Sequence, residues 1–134
     1  MTFLDTNVLV YVLDVRDARK RRTALSIVAD ANSSPDFVIS AQVLNEFANV
    51  AMRKLGKTGE ETAEFVELFR AIRTVPVNPE WTTRALRIMD RYNIQFFDSL
   101  LLAAAESNGC DEILTEDLAD GRTYCGVRAV NPFK

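Results

Sequence analysis

Short apolar runs alternate along this chain with longer stretches in which apolar residues return every three or four positions. "TFLD" (2–5), "FVIS" (37–40), "VPV" (75–77), "EILT" (112–115) and "VRAV" (127–130) read as buried strands. Between them, Ala24, Ile27, Val28 and Ala31 predict one helix face over 18–31. Leu44, Phe47, Ala48, Ala51 and Leu55 do so over 41–55, and Phe65, Val66, Phe69 and Ile72 over 60–72. Trp81, Ala85, Ile88 and Tyr92 mark a helix over 80–92. Residues 98–108 are apolar almost all round, so this helix is expected to be buried and to end at Asn108-Gly109, a left-handed cap. Strands alternating with helices imply an α/β fold, a parallel sheet with helices on its faces. No strand separates 41–55 from 60–72, which predicts a helical hairpin across Gly56 to Gly59.

A chain of 134 residues is expected to form one domain, taken here as 1–134. Its 48% hydrophobic content supports one substantial core. No apolar run approaches the roughly 18 residues of a membrane span, and no basic region precedes the first apolar stretch as in a signal peptide. Cys110 and Cys125 have no metal-ligand spacing. The expectation is a cytoplasmic chain with reduced, structural thiols and no membrane partner.

Histidine is absent. That removes imidazole bases, Ser-His-Asp triads, Cys-His pairs and histidine-ligated zinc. Hydrolytic chemistry in such a chain falls to carboxylates working with a metal ion. The net charge of -3 does not advertise nucleic-acid binding by the whole molecule. The basic residues are grouped, however, as Arg16 to Arg22, as Arg53, Lys54 and Lys57, and as Arg84, Arg87 and Arg91. Taken singly, each group reads as a solvated helix face.

Most acidic residues fall on polar helix faces or near element ends, and four stand apart. Asp5 leaves the first strand, where it serves either as the N-cap of a short segment 6–14 or as a site residue. Asp117 leaves the strand "EILT" in the same way, or simply makes a local turn. Asp98 opens the most apolar helix, a place that also suits a cap. Glu46 shares a stripe with Val43 and Val50, so it either snorkels outward or points at a site. Strand exits and helix N-termini lie on one edge of an α/β sheet, the edge where ligands bind. Carboxylates crowded there repel each other by about 4 kcal/mol per pair at ~4 Å. Mg²⁺ or Mn²⁺, hard ions with oxygen ligands, would relieve that repulsion.

"FLDTNVLV", "VLNEFANV", "FFDSLLLAAA" and "ILTEDL" resemble the four acidic motifs of PIN-domain ribonucleases, and more narrowly the VapC-type toxins of toxin–antitoxin pairs. The resemblance runs from Thr2 to about Val130. It implies a PIN-like fold with a parallel sheet of four or five strands, and metal-dependent cleavage of RNA. Asp5, Glu46, Asp98 and Asp117 take the four acidic positions, as catalytic residues and metal ligands. Asn7 and Thr115 match residues that support the carboxylates, and Thr6 joins them as a supporting residue. An antitoxin partner and a homodimer are implied as well. Glu116 departs from the pattern, since many members carry a basic or polar residue there. An extra acid at that point would repel RNA unless it is turned away.

The expected chemistry is in-line attack on phosphorus by a metal-activated water, leaving 5′-phosphate and 3′-hydroxyl ends. Arg16 to Arg22 or Arg84 to Arg91 would hold the polyanion. A haloacid-dehalogenase-like phosphohydrolase would need an acid where Asn7 stands, and a phospho-receiver would need adjacent acids after the first strand and a lysine after the fifth. A non-catalytic module, whose acidic pocket accepts a basic partner residue, is the remaining alternative.

Overall fold

A computed structural model describes residues 1–134. The strands are β1 (Thr2–Leu4), β2 (Phe37–Ser40), β3 (Arg73–Val75), β4 (Glu112–Leu114), β5 (Thr123–Tyr124) and β6 (Val127–Val130). The helices are α1 (Thr6–Leu13), α2 (Ala18–Asn32), α3 (Ala41–Arg53), α4 (Gly59–Phe69), α5 (Pro79–Tyr92) and α6 (Phe96–Ser107). One sheet takes the order β3-β2-β1-β4-β6-β5. Every pairing is parallel except that of β5 with β6.

The α/β architecture with its helical hairpin is the expected one, although α3 and α4 stop at Arg53 and Phe69 rather than at 55 and 72, and it differs from the sequence reading in three further places. The third strand occupies 73–75 rather than 75–77. Pro76 has no amide hydrogen to donate to the ladder, so pairing stops at Val75. A sixth strand, β5, has only two residues and turns back through Cys125 and Gly126, both at positive φ (45° and 81°). That is the backbone a tight hairpin demands, but cysteine at its first position is not a usual turn signal. The last helix starts at Phe96, not at Asp98. Asp98 lies in its first turn, where the positive end of the helix dipole favours an anion.

Local chemistry sets the other helix starts. Asp17, Ser40 and Asn78 cap α2, α3 and α5 through side-chain oxygens. Thr58 and Glu61 form a capping box on α4. The α3–α4 hairpin is locked by Phe47 and Phe69, whose rings meet edge-to-face at 4.8 Å, a contact that contributes roughly 0.5–1.5 kcal/mol beyond area burial. Phe3, Leu4, Val38, Ile39 and Ile113 of the sheet are buried in one hydrophobic core with Val8 and Leu9 of α1 and Leu102 of α6. No helix is long and apolar enough to cross a membrane.

Strand order decides where a ligand can enter. From β1 the chain builds outward to β2 and β3, then returns to the opposite side of β1 with β4. The order reverses between β1 and β4, which opens a crevice at their carboxyl ends.

Candidate active site

Leu4 of β1 stands in register with Leu114 of β4. The residues that follow, Asp5 and Thr115, therefore leave the sheet side by side at the crevice. Asp5 is buried, with 4% of its surface exposed. Its carboxylate accepts from the Thr6 backbone N–H and from Thr115 Oγ1, each at 2.6 Å. The first of these bonds caps α1. Capping and clustering, alternatives in the sequence, are thus both done by Asp5.

Thr115 works in two directions, because its Oγ1 also accepts from the Asp117 N–H at 3.1 Å. Asn7 Nδ2 bridges the same pair of acids, donating to Asp117 Oδ2 at 3.1 Å and to Asp5 Oδ2 at 3.3 Å. Asp98 closes the group from α6. One carboxylate oxygen from each of Asp5, Asp98 and Asp117 lies within 4.8 Å of the others. Three acids far apart in the chain are thus gathered into one pit. Replacing Thr115 with valine leaves the buried Asp5 Oδ2 with only the longer bond from Asn7 Nδ2, and the Asp117 N–H without its acceptor. The expected cost is about 1–3 kcal/mol, read as a lower urea midpoint at pH 8 in EDTA.

Glu46 is placed differently from the expectation that it completes the metal-holding group. It lines the same cavity, of about 380 Å³, but is not one of the three acids whose oxygens converge. Thr6 Oγ1 and Gln42 Nε2 each donate to it at 2.7 Å. These two donors explain how a carboxylate is tolerated on a half-buried helix face. Gln42 does not stand out in the sequence, although its place one turn before Glu46 is a signal for such a bond. Thr6 supports Glu46 through its side chain, and Asp5 only through its backbone.

The electrostatics follow from crowding in a poorly solvated place. Burial pushes the Asp5 carboxyl up to about 7, the hydrogen bonds from Thr115 and Thr6 oppose the rise, and the charges of Asp117 and Asp98 add to it. Asp98 is also raised, first by burial and then by Asp117 and Glu46. A second observation concerns Asn7 Oδ1, which is buried without a hydrogen-bond partner. A hydrated divalent cation suits both facts, giving positive charge to the carboxylates and water protons to the amide oxygen. An all-oxygen donor set fits Mg²⁺ or Mn²⁺.

Glu116 is turned to the protein's own cation. It accepts from Lys20 Nζ at 3.1 Å and from Tyr11 OH at 2.5 Å, and Lys20 also donates to Tyr11 OH at 3.1 Å. The extra acid therefore carries a compensating charge beside it. The basic groups are sorted by similar contacts. Arg16 is paired with Asp14 and Arg84 with Glu106, each through two side-chain hydrogen bonds. Lys54 lines the acidic cavity. It also lines the two grooves beside it, one with Arg53 and one with Lys57.

Residues 2–119 match the family model described as PIN domain. Comparison with curated proteins finds no match. Among solved structures, the fold is similar to a toxin–antitoxin complex from Klebsiella pneumoniae, with 20% identity, 98% of each chain covered and a TM-score of 0.72. It is similar to Mycobacterium tuberculosis VapC20, described as a sarcin-ricin loop cleaving toxin, with 21% identity, 84% of this chain and 87% of that one covered, and a TM-score of 0.67. VapBC2 from Rickettsia felis, bound to a DNA fragment from its promoter, shows 14% identity over 96% of each chain and a TM-score of 0.69.

Proposed function

The chain belongs to the PIN domain family, and from that premise we propose that it is a metal-dependent endoribonuclease, the toxin of a toxin–antitoxin pair. The observation that carries this reading is the convergence of Asp5, Asp98 and Asp117 at the crevice where strand order reverses. These three would hold Mg²⁺ or Mn²⁺, with Glu46 and Asn7 beside them. Such an ion, when bound, supplies a water of lowered pKa and offsets charge on the scissile phosphate.

The protein's own groups do the rest. Thr115 and the Thr6 N–H fix the rotation of the Asp5 carboxylate. Asn7 and the Thr115 hydroxyl hold the loop that carries Asp117. Glu46, held by Thr6 and Gln42, keeps a carboxylate on the α3 wall to orient the attacking water. No imidazole is present to activate a 2′-hydroxyl. Attack by water with departure of the 3′ oxygen leaves 5′-phosphate and 3′-hydroxyl ends.

Purified protein, incubated with total RNA with and without Mg²⁺, is expected to cut only with the ion. Ligation-based mapping is expected to recover 5′-phosphates. Cutting that persists in EDTA, or ends that carry a 2′,3′-cyclic phosphate, would defeat the reading. The solved structures of similar fold include toxin–antitoxin complexes, which supports an antitoxin partner for this chain; a basic antitoxin residue in the acidic pocket and a homodimeric assembly are part of the same proposal.

Phosphate binding is assigned to Lys54 and its neighbours rather than to Arg84, which is occupied by Glu106. Reversing Lys54 and Lys57 together to glutamate is expected to weaken RNA binding uniformly across sequences. The slope of log affinity against log salt should become shallower by about 0.7 for each phosphate that is no longer neutralised.

A further inference from the structure

A second groove meets the acidic cavity along α3 and adjoins the Arg53–Lys54 groove at Asn49, but the rest of its lining is of another kind. Gln42, Asn45 and Asn49 form one wall, at offsets 0, 3 and 7 on one face of α3. Phe97 and Leu100 of α6, with Val77 from the segment after β3, form the other. Glu46 and Phe97 line both this groove and the acidic cavity, so the two are continuous. Phe97 is 62% exposed although it directly precedes Asp98. Its ring is braced edge-on by Phe96 at 5.3 Å. Asn45 and Asn49 are exposed as well.

The chemistry selects the occupant. Apart from Glu46 the groove has no charged side chain, so it offers no cation to a phosphate. It offers a flat apolar ring and a row of amides. An unpaired nucleobase matches both, with a π-face to stack and an edge of donors and acceptors to read. The Gln42 amide is already oriented by its bond to Glu46. Stacked bases of a duplex are not free to enter such a slot, so the groove implies a single-stranded or looped segment.

We propose that Phe97 stacks, and Asn45 and Asn49 read, a base flanking the scissile phosphate, so that this groove sets base preference while the Lys54 side holds the backbone. The proposal rests on the nuclease reading for what happens to the strand, but not for the binding itself.

The test therefore measures binding. The non-cutting Asp5→Asn protein is titrated in Mg²⁺ with a labelled single-stranded RNA octamer, intact or with one abasic position moved along the strand. An abasic position is expected to weaken binding roughly 5- to 100-fold at one or two places and little elsewhere. Adding Phe97→Ala should erase that difference, and Asn45→Ala with Asn49→Ala should flatten discrimination among the four bases at the same place. Abasic penalties that are equal in both backgrounds, or absent at every position, would overturn the proposal. So would a Phe97→Ala protein that binds RNA unchanged but loses a dimer in sedimentation, which would make this face a protein–protein surface. Wild-type cleavage is scored separately: a base-dependent binder that never cuts sinks the nuclease reading and leaves the groove assignment standing.

Discussion

Replacing Asp5 with asparagine is expected to abolish RNA cleavage and, in the same protein, to raise stability at pH 8 without metal. Both effects arise from one buried carboxylate. Changes to groups that merely orient metal ligands typically reduce affinity or activity 10- to 100-fold, so loss of a central ligand should cost at least roughly 100-fold. Stability moves the other way, because ionising Asp5 takes a charge out of water beside the charges of Asp117 and Asp98. The asparagine amide keeps the shape without the charge. Its oxygen can still accept from the Thr6 N–H, while its nitrogen must face Thr115 Oγ1, which then accepts rather than donates, and the long bond from Asn7 Nδ2 is lost. That exchange gives back about 1 kcal/mol. A net gain of roughly 1–3 kcal/mol at pH 8 is expected, fading near pH 5 where Asp5 is already protonated. Urea unfolding at both pH values, paired with RNA cleavage, measures both halves. A variant that loses cleavage and stability together would show that Asp5 serves the fold rather than the ion.

The metal-free wild-type protein is expected to lose stability as pH rises from about 4 to 7, and added Mg²⁺ is expected to reverse that loss. In the unfolded chain an aspartate titrates near 4, whereas in the fold Asp5 titrates at about 7. Between those values the folded state holds the extra proton, so stability declines with pH across the window and levels off above it. The full decline attributable to Asp5 is on the order of 4 kcal/mol, and Asp98 adds in the same direction. The acids whose pKa is lowered, such as Asp14 held by Arg16 and Asp120 held by the Asn131 N–H, act oppositely, but below this window. At a hundred times its dissociation constant, Mg²⁺ restores about 2.7 kcal/mol. Melting curves at pH 5, 6, 7 and 8 in EDTA and in Mg²⁺ decide the matter. A metal-free melting temperature that climbs through that interval would mean Asp5 is comfortably ionised and needs no ion.

Asp5, Asp98 and Asp117 are legible in the sequence because each stands where an apolar element meets an edge, and a charge at such a boundary stands out. The alternation of strands and helices alone places them on one side of the sheet. Glu46 is legible as unusual, but its separation from the other three is not, since that depends on how α3 leans against α1. The Thr6 bond, from α1 to Glu46 on α3, fixes that relation, while the Gln42 bond lies within α3. The pairing of Glu116 with Lys20 joins residues 96 positions apart, and periodicity along one helix has no bearing on such contacts. The same limit applies to the basic groups: helical spacing makes Arg84 and Lys54 look equivalent, and only packing shows that Glu106 claims the first. The short β5 escapes a sequence reading because two residues give no alternation to read.

The sheet's outer strands have a further consequence. On one side β3 is three residues long and carries the exposed Arg73. On the other, the two-residue β5 folds back over β6. Neither rim offers a long, flat row of free amides, so a newcomer cannot readily extend the sheet by adding its own strand. Self-recognition by this protein is thereby steered toward its helical exterior, where Met52, Leu68 and Leu86 remain in contact with solvent, and crowding in the cell should not drive it into fibrous stacks.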